Sequence, residues 1–182
     1  MFLDRDGVIN RAAVRNGKPY PPASVEELEI LPGVEKAARD LHDAGFLIIV
    51  VTNQPDIATG VQSLEVVEKM HRKLRETLPI DDIKVCYHSN ADACTCRKPK
   101  PGMLLEAARE RDIDLSRSFL VGDRWGDIGA GQAAGCFTFF IDYGYRERTA
   151  ENPDAVVHSL AEASRIILSR DHNPSSENTT HE

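Results

Sequence analysis

The stretch Phe46-Leu47-Ile48-Ile49-Val50-Val51-Thr52-Asn53-Gln54 is a continuous apolar run that ends abruptly in polar side chains. Such a run, without alternation, is what a strand of a parallel sheet needs when helices cover both of its faces. Outward from it the same signature recurs. Phe2-Leu3 is a short apolar stub ending in Asp4, and a weaker strand pattern, Ser118-Phe119-Leu120-Val121, leads through Gly122 to Asp123. Weaker strand patterns lie at 83–87 and at 137–141, and a last strand and helix fall between Ala155 and Leu168. Helical patterns separate the strands. Pro32-Gly33 opens one toward Gly45, with Val34, Ala37, Ala38 and Leu41 on one face. Ser63 caps a second that runs through Leu78, with Val66, Val67, Met70 and Leu74 at helical spacing. The segments 102–111 and 127–135 supply two more.

Strands alternating with helices imply right-handed crossovers, and hence an α/β fold with a doubly wound, mostly parallel sheet carrying helices on both faces. Ligands of such sheets bind outside the carboxyl ends of the strands. Asp4, Thr52 and Asp123 each follow an apolar strand directly, so all three are expected on that edge.

With 182 residues, 41% hydrophobic and 6% aromatic, the chain can bury one core. One domain over 1–168 is expected, followed by a disordered polar tail over 169–182. No apolar run approaches the roughly 20 residues that span a bilayer, and the first residues lack the regions of a signal peptide, so a soluble cytoplasmic protein is expected. The formal net charge of −7 argues against a nucleic-acid partner. Positive charge is instead local. Arg5, Arg97, Lys98, Lys100 and Arg124 all lie within four short motifs: Phe2-Leu3-Asp4-Arg5-Asp6-Gly7-Val8, Val50-Val51-Thr52-Asn53-Gln54, Arg97-Lys98-Pro99-Lys100-Pro101-Gly102 and Val121-Gly122-Asp123-Arg124-Trp125-Gly126-Asp127.

Asp4 and Asp6 stand two apart, which in an extended segment sends both carboxylates to one side, while Gly7 permits a sharp turn after them. One carboxylate can attack phosphorus, forming an aspartyl-phosphate, while the other manages a proton. Taken singly, Thr52 reads as a strand-end hydroxyl, Lys98 as a solvated charge, and Asp123 and Asp127 as acids at a helix start. Their joint occurrence at strand ends points instead to phosphoryl transfer, where catalysis is mostly positioning and charge neutralisation by donors, lysine and metal. Magnesium takes one or two carboxylates together with water and phosphate, and Asp4 and Asp123 are the candidates.

These motifs resemble those of the haloacid dehalogenase superfamily of phosphotransferases, and the resemblance covers the chain up to about Asp142. It implies that Asp4 is the nucleophile and Asp6 the general acid and base. Thr52 and Lys98 become phosphate ligands, and Mg²⁺ is held by Asp4, the Asp6 backbone carbonyl and Asp123, with Asp127 in support of the metal waters or of Lys98. A signalling receiver domain shares a phosphorylated Asp, a Thr and a Lys, but it places the acceptor Asp deep in the chain and lacks the second carboxylate that Asp6 supplies.

Cys86-Tyr87-His88 and Cys94-Thr95-Cys96 bring three thiolates and one imidazole close in sequence, the ligand set of a closed structural zinc site. In a reducing compartment this is a better reading than disulfides. Zinc over 86–96 would pin the loop that feeds Arg97 and Lys98. Cys136 stands apart and is expected to be a small buried side chain. This layout is similar to that of the heptose 1,7-bisphosphate and histidinol-phosphate phosphatases. By that resemblance Asn53, Arg97 and Lys98 contact substrate, no large cap covers the site, and the expected partner is a small phosphorylated metabolite. Removal of the C7 phosphate from a heptose bisphosphate is the leading expectation, with histidinol phosphate or another small phosphorylated metabolite the alternative; the oligomeric state is open, and a monomer is compatible with the sequence. The segment Pro55-Asp56-Ile57-Ala58-Thr59-Gly60 departs from the subfamily's Ser-Gly-Ile-Ala-Arg-Gly pattern.

Overall fold

The computed structural model describes residues 1–171; the part of the expected tail at 172–182 lies outside the described residues. The chain opens with β1 (Phe2–Leu3), an antiparallel hairpin of β2 (Ala13–Arg15) and β3 (Lys18–Tyr20), then α1 (Val34–Asp43), β4 (Ile49–Asn53), α2 (Leu64–Thr77) and β5 (Asp82–Cys86). It continues with α3 (Gly102–Arg111), β6 (Phe119–Gly122), α4 (Trp125–Ala134), β7 (Phe137–Ile141), β8 (Ala155–Val157) and α5 (Leu160–Asp171).

Six strands form one sheet in the order β5-β4-β1-β6-β7-β8, and every pairing within it is parallel. The expected doubly wound α/β sheet is therefore present. Its central strand is the two-residue β1, with Phe2 between Ile49 and Leu120 and Leu3 between Val50 and Val121. From there the chain winds one way through β4 and β5 and the other way through β6, β7 and β8, so the strand order reverses at β1. A crevice opens at such a reversal, beyond the carboxyl ends of the strands.

Side chains alternate between two cores because successive strand residues point to opposite faces. Leu3, Val50, Val121, Phe139 and Ile141 pack on α1, α2 and α5. Phe2, Ile49, Val51, Leu120 and Phe140 pack on α3 and α4. Each fully buried Leu, Ile or Phe contributes about 1.5–3 kcal/mol by leaving water. That is why the run at 46–51 carries no polar position: both faces of it are covered.

Local differences have local causes. β4 starts at Ile49 rather than Phe46, because the Ile48 N–H donates to the Asp81 carboxylate instead of to a strand. α4 starts at Trp125 rather than Asp127, since Asp127 Oδ2 accepts the Arg124 N–H at 2.9 Å and caps the first turn from within. α5 runs past Leu168 to Asp171. The hairpin of β2 and β3 has no counterpart in the expected elements. Its signal is Asn16-Gly17, both at positive φ (54° and 77°), the preferred pair of a two-residue hairpin turn. A side chain on Gly17 would strike that of Arg146, and Gly17 O accepts the Arg146 N–H at 2.7 Å. The hairpin is thereby hooked to the segment after β7.

Candidate active site

Asp4 follows β1, Thr52 and Asn53 close β4, and Asp123 follows β6, so three neighbouring strands deliver them to one edge. The loop between β5 and α3 adds Lys98, and the first turn of α4 adds Asp127. Together with Asp6 and Arg97, most of these residues line a cleft of about 460 Å³, walled by Pro19-Tyr20-Pro21 of the hairpin on one side and Trp125 on another.

Lys98 is buried, and its ammonium lies 2.7 Å from Asp4 Oδ1, 2.6 Å from Asp127 Oδ1 and 2.7 Å from the Val51 carbonyl. An ammonium has three protons, so these partners fix it fully. Burial alone would lower its pKa, but the Asp127 and Asp4 carboxylates outweigh that and raise it. Asn53 clamps the Lys98 backbone from both sides: its Nδ2 donates to the Lys98 carbonyl and its Oδ1 accepts the Lys98 N–H, each at 3.2 Å.

Asp123 is 1% exposed, yet neither of its carboxylate oxygens makes a hydrogen bond of ordinary geometry, the Tyr145 hydroxyl being the donor that stands near. Asp4, Asp123 and Asp127 offer oxygens that all lie within 4.8 Å of one another. Lys98 pairs with two of the three, Asp4 and Asp127. Three carboxylates against one ammonium leave an excess of negative charge in a dry site, and the proton affinities register it. Burial and the Asp127 charge push Asp4 up to about 7. Burial, Asp4 and Asp127 push Asp123 well above the usual carboxylate range. Unpartnered hard oxygens around missing positive charge fit a divalent cation such as Mg²⁺. Gly7 makes the packing possible: at φ 93° it carries no side chain, and a Cβ there would lie 1.9 Å from Asp123 Oδ2.

Asp6 is held differently. Arg5 Nη2 donates to Asp6 Oδ1 and Oδ2 at 3.0 and 2.9 Å, Asn10 Nδ2 to Oδ1 at 2.9 Å, and Gln54 Nε2 to Oδ2 at 2.9 Å. Burial would raise its pKa, but the Arg5 charge and these hydrogen bonds bring it below the ordinary value. Gln54 Nε2 also donates to Thr52 Oγ1 at 2.9 Å, tying the strand-end hydroxyl to Asp6.

Cys86, His88, Cys94 and Cys96 converge as well, with ligand atoms within 4.8 Å of one another. Cys86 Sγ lies 3.2 Å from Cys96 Sγ and 3.9 Å from Cys94 Sγ, and His88 Nδ1 lies 3.2 Å from Cys96 Sγ. A four-donor S₃N set this tight suits a tetrahedral ion. The loop reaches the cleft through Arg97, whose Nε donates to Asn90 Oδ1 at 2.7 Å and whose Nη1 donates to the His88 carbonyl at 3.3 Å. Lys100 Nζ donates to the Cys94 carbonyl at 2.5 Å. Cys136 is buried apart from this cluster, in the core under α3 and α4.

Every site residue read from the sequence except Asp123 lines the cleft or joins the Cys/His cluster; Asp123 is buried beside Asp4 and Asp127, and Asp6 stands outside that carboxylate trio. Asn10, Gln54 and His71 were not singled out. Asn10 and Gln54 flank the Asp6 and Thr52 motifs, where polar groups beside a functional carboxylate are the available signal. His71 falls on the apolar face of α2 among Val67, Met70 and Leu74, and a lone His there carries no signal in one dimension.

A parallel sheet with a strand-end nucleophile candidate, a buried lysine and a carboxylate trio defines the class of HAD-like hydrolases, and the HAD-hydrolase-like family model matches residues 95–163. The D-glycero-β-D-manno-heptose-1,7-bisphosphate 7-phosphatase of Pseudomonas aeruginosa is 39% identical over 158 residues, 84% of this chain and 86% of the relative. The corresponding Yersinia pestis protein is 35% identical over 185 residues, 93% of this chain and 95% of the relative. The crystal structure of D,D-heptose 1,7-bisphosphate phosphatase from Bordetella bronchiseptica, complexed with magnesium and phosphate, superposes with a TM-score of 0.77 at 30% identity, covering 93% of this chain and 98% of that one. The chain belongs to this heptose bisphosphate phosphatase family of HAD-like hydrolases and is a phosphatase without a large cap.

Proposed function

We propose that the protein is a magnesium-dependent phosphomonoesterase that removes the C7 phosphate of D-glycero-D-manno-heptose 1,7-bisphosphate through an aspartyl-phosphate on Asp4. The observation that carries this reading is the convergence of Asp4, Lys98, Asp127 and the unpartnered Asp123 at the strand ends, in a chain whose relatives are 7-phosphatases over most of their length.

Asp4 attacks phosphorus in line with the C7 oxygen. Asp6, a carboxylate while Arg5, Asn10 and Gln54 hold it, takes the proton of an entering phosphate monoanion and gives it to the departing sugar oxygen as the P–O bond breaks; a carboxylate again, it takes a proton from the water that attacks the aspartyl-phosphate. Inorganic phosphate leaves and Asp4 is regenerated. Lys98 and the Thr52 hydroxyl hold the oxygens of the phosphoryl group, and Arg97 with Asn53 meets the sugar or its phosphate. The buried unpaired oxygens of Asp123 support a metal site. Asp4, the Asp6 backbone carbonyl and Asp123 would hold Mg²⁺, with Asp127 bracing Lys98. When bound, the ion supplies positive charge to the phosphoryl oxygens. Cys86, His88, Cys94 and Cys96 would hold a structural Zn²⁺ that fixes the loop behind Arg97 and takes no part in the chemistry. The four cysteines form no disulfide, which fits a reducing, cytoplasmic compartment.

The test is phosphate release with Mg²⁺ present from heptose 1,7-bisphosphate and from histidinol phosphate at matched concentrations. A kcat/KM at least tenfold higher for the bisphosphate is expected. Equal or reversed preference overturns the substrate, and no turnover of either overturns the reaction.

A further inference from the structure

Among the described residues Arg5 is the largest fully buried side chain, at 0% exposure. A guanidinium carries five N–H donors and no acceptor, so without water it must find acceptors in the protein. Its Nε and Nη2 face the Asp6 carboxylate. Its Nη1 lies 3.2 Å from His71 Nε2, on the buried face of α2. Arg5 can only donate, so His71 Nε2 is the acceptor and the ring proton sits on Nδ1, which faces Glu68 Oε1 at 3.8 Å. Glu68 Oε1 in turn accepts the Tyr87 hydroxyl proton at 2.8 Å, and Tyr87 lies between Cys86 and His88. A line of polar groups thus runs from Asp6 through Arg5, His71, Glu68 and Tyr87 to the thiolate loop.

We infer that His71 is a positioning residue for the reaction: through Arg5 it fixes where the Asp6 carboxyl group stands. The planar guanidinium presents one edge to Asp6, and a plane is set only when a second edge is held too. His71 holds that edge. As a neutral acceptor it satisfies Nη1 without adding a charge beside Asp6, and burial with the nearby Arg5 charge keeps the ring neutral. A leucine would fill the same space on an apolar helix face but would leave Nη1 of a dry cation unbonded. The inference rests on the reading of Asp6 as proton donor to the leaving group.

The experiment uses that dependence. A sugar phosphate needs a proton on its departing alkoxide, whereas 4-nitrophenyl phosphate releases a stable phenolate without one. The kcat/KM value covers only the steps through the first irreversible one, the attack by Asp4. In folded His71→Leu, kcat/KM for the sugar bisphosphate is expected to fall about tenfold or more while that for 4-nitrophenyl phosphate stays within about twofold. His71→Gln keeps an acceptor at the same reach and is expected to restore both. An equal fall on the two substrates, no fall on either, or a His71→Gln variant as impaired as His71→Leu overturns the inference. If His71→Leu does not fold, His71→Met, which fills the same space without a nitrogen acceptor, is read by the same selectivity, with the same outcomes for and against. Asp4→Asn assayed alongside separates the two levels. Activity surviving in it overturns the reaction itself, whereas its inactivity beside an unselective His71→Leu overturns only the role of His71.

Discussion

At Asp123 the chain buries a carboxylate with no hydrogen bond of ordinary geometry on either oxygen, an arrangement that costs stability until a cation arrives. The same strain sits on Asp4, which shares one ammonium with Asp127. Asp4→Asn should therefore separate function from stability: turnover falls by orders of magnitude, while the metal-free variant melts at a higher temperature than the wild type because one of three crowded carboxylates is gone. The sign follows from linkage. Burial and Asp127 raise Asp4 to about 7 in the folded state, so its ionisation opposes folding as pH rises from about 4 toward 7. Calorimetry of both proteins in chelator checks this, and a lower melting temperature for the variant would contradict it. His71 works in the opposite direction along the pH scale. Burial and Arg5 lower it from 6.5 to about 4. Above pH 6.5 the ring is neutral in folded and unfolded chains alike. As pH falls below that, the unfolded chain takes up a proton that the folded protein refuses until about pH 4, so stability drops by on the order of 1 kcal/mol per pH unit across this window. Urea titrations should show a shallower acid slope for His71→Gln, and an unchanged slope would remove the claim.

Among the elements, the loop between β5 and α3 links the thiolate cluster to the cleft. Asn90 and the His88 carbonyl grip Arg97, and the Cys94 carbonyl takes Lys100. Cys94→Ser should lose zinc by elemental analysis, melt at a lower temperature because metal binding contributes to folding, and raise KM more than it lowers kcat, since Arg97 loses its support while Asp4 and Lys98 keep theirs. Metal content equal to that of the wild type would remove the zinc assignment. The strands and helices that carry this loop could be read from apolar runs and helical spacing. The hairpin of β2 and β3 could not be read that way, because Ala13, Val14, Pro19 and Tyr20 do not bury a continuous face and only Asn16-Gly17 marks the turn. Its place as a wall of the cleft depends on the contact between Gly17 and Arg146, which are far apart in the chain.

For the whole molecule, two candidate metal sites of different hardness stand on one sheet edge: a carboxylate trio at the switch point and a sulfur-rich cluster beside it. Oxygen ligands hold Mg²⁺ weakly and thiolates hold Zn²⁺ tightly. A short treatment with a chelator should therefore abolish phosphate release, excess Mg²⁺ alone should restore it, and the zinc content should not change. Recovery that needs added zinc would overturn this division of labour. Among the described residues no helix is long and apolar enough to cross a membrane.

What the sequence determined by itself was the parallel sheet, since only strands covered on both faces tolerate the unbroken run at 46–51. It also determined that Asp4, Thr52 and Asp123 share an edge, because each directly follows such a strand, and that four soft ligands lie close enough along the chain to meet. What the tertiary structure decided was how charge is distributed among those groups. The excess of three carboxylates over one lysine, the lack of an ordinary hydrogen bond at Asp123, and the line from Asp6 through Arg5 to His71 join residues from β1, α2, α4 and distant loops. Local pattern reports which face a residue occupies; the field it feels and the partner it finds depend on distances that exist only once the sheet has closed around β1.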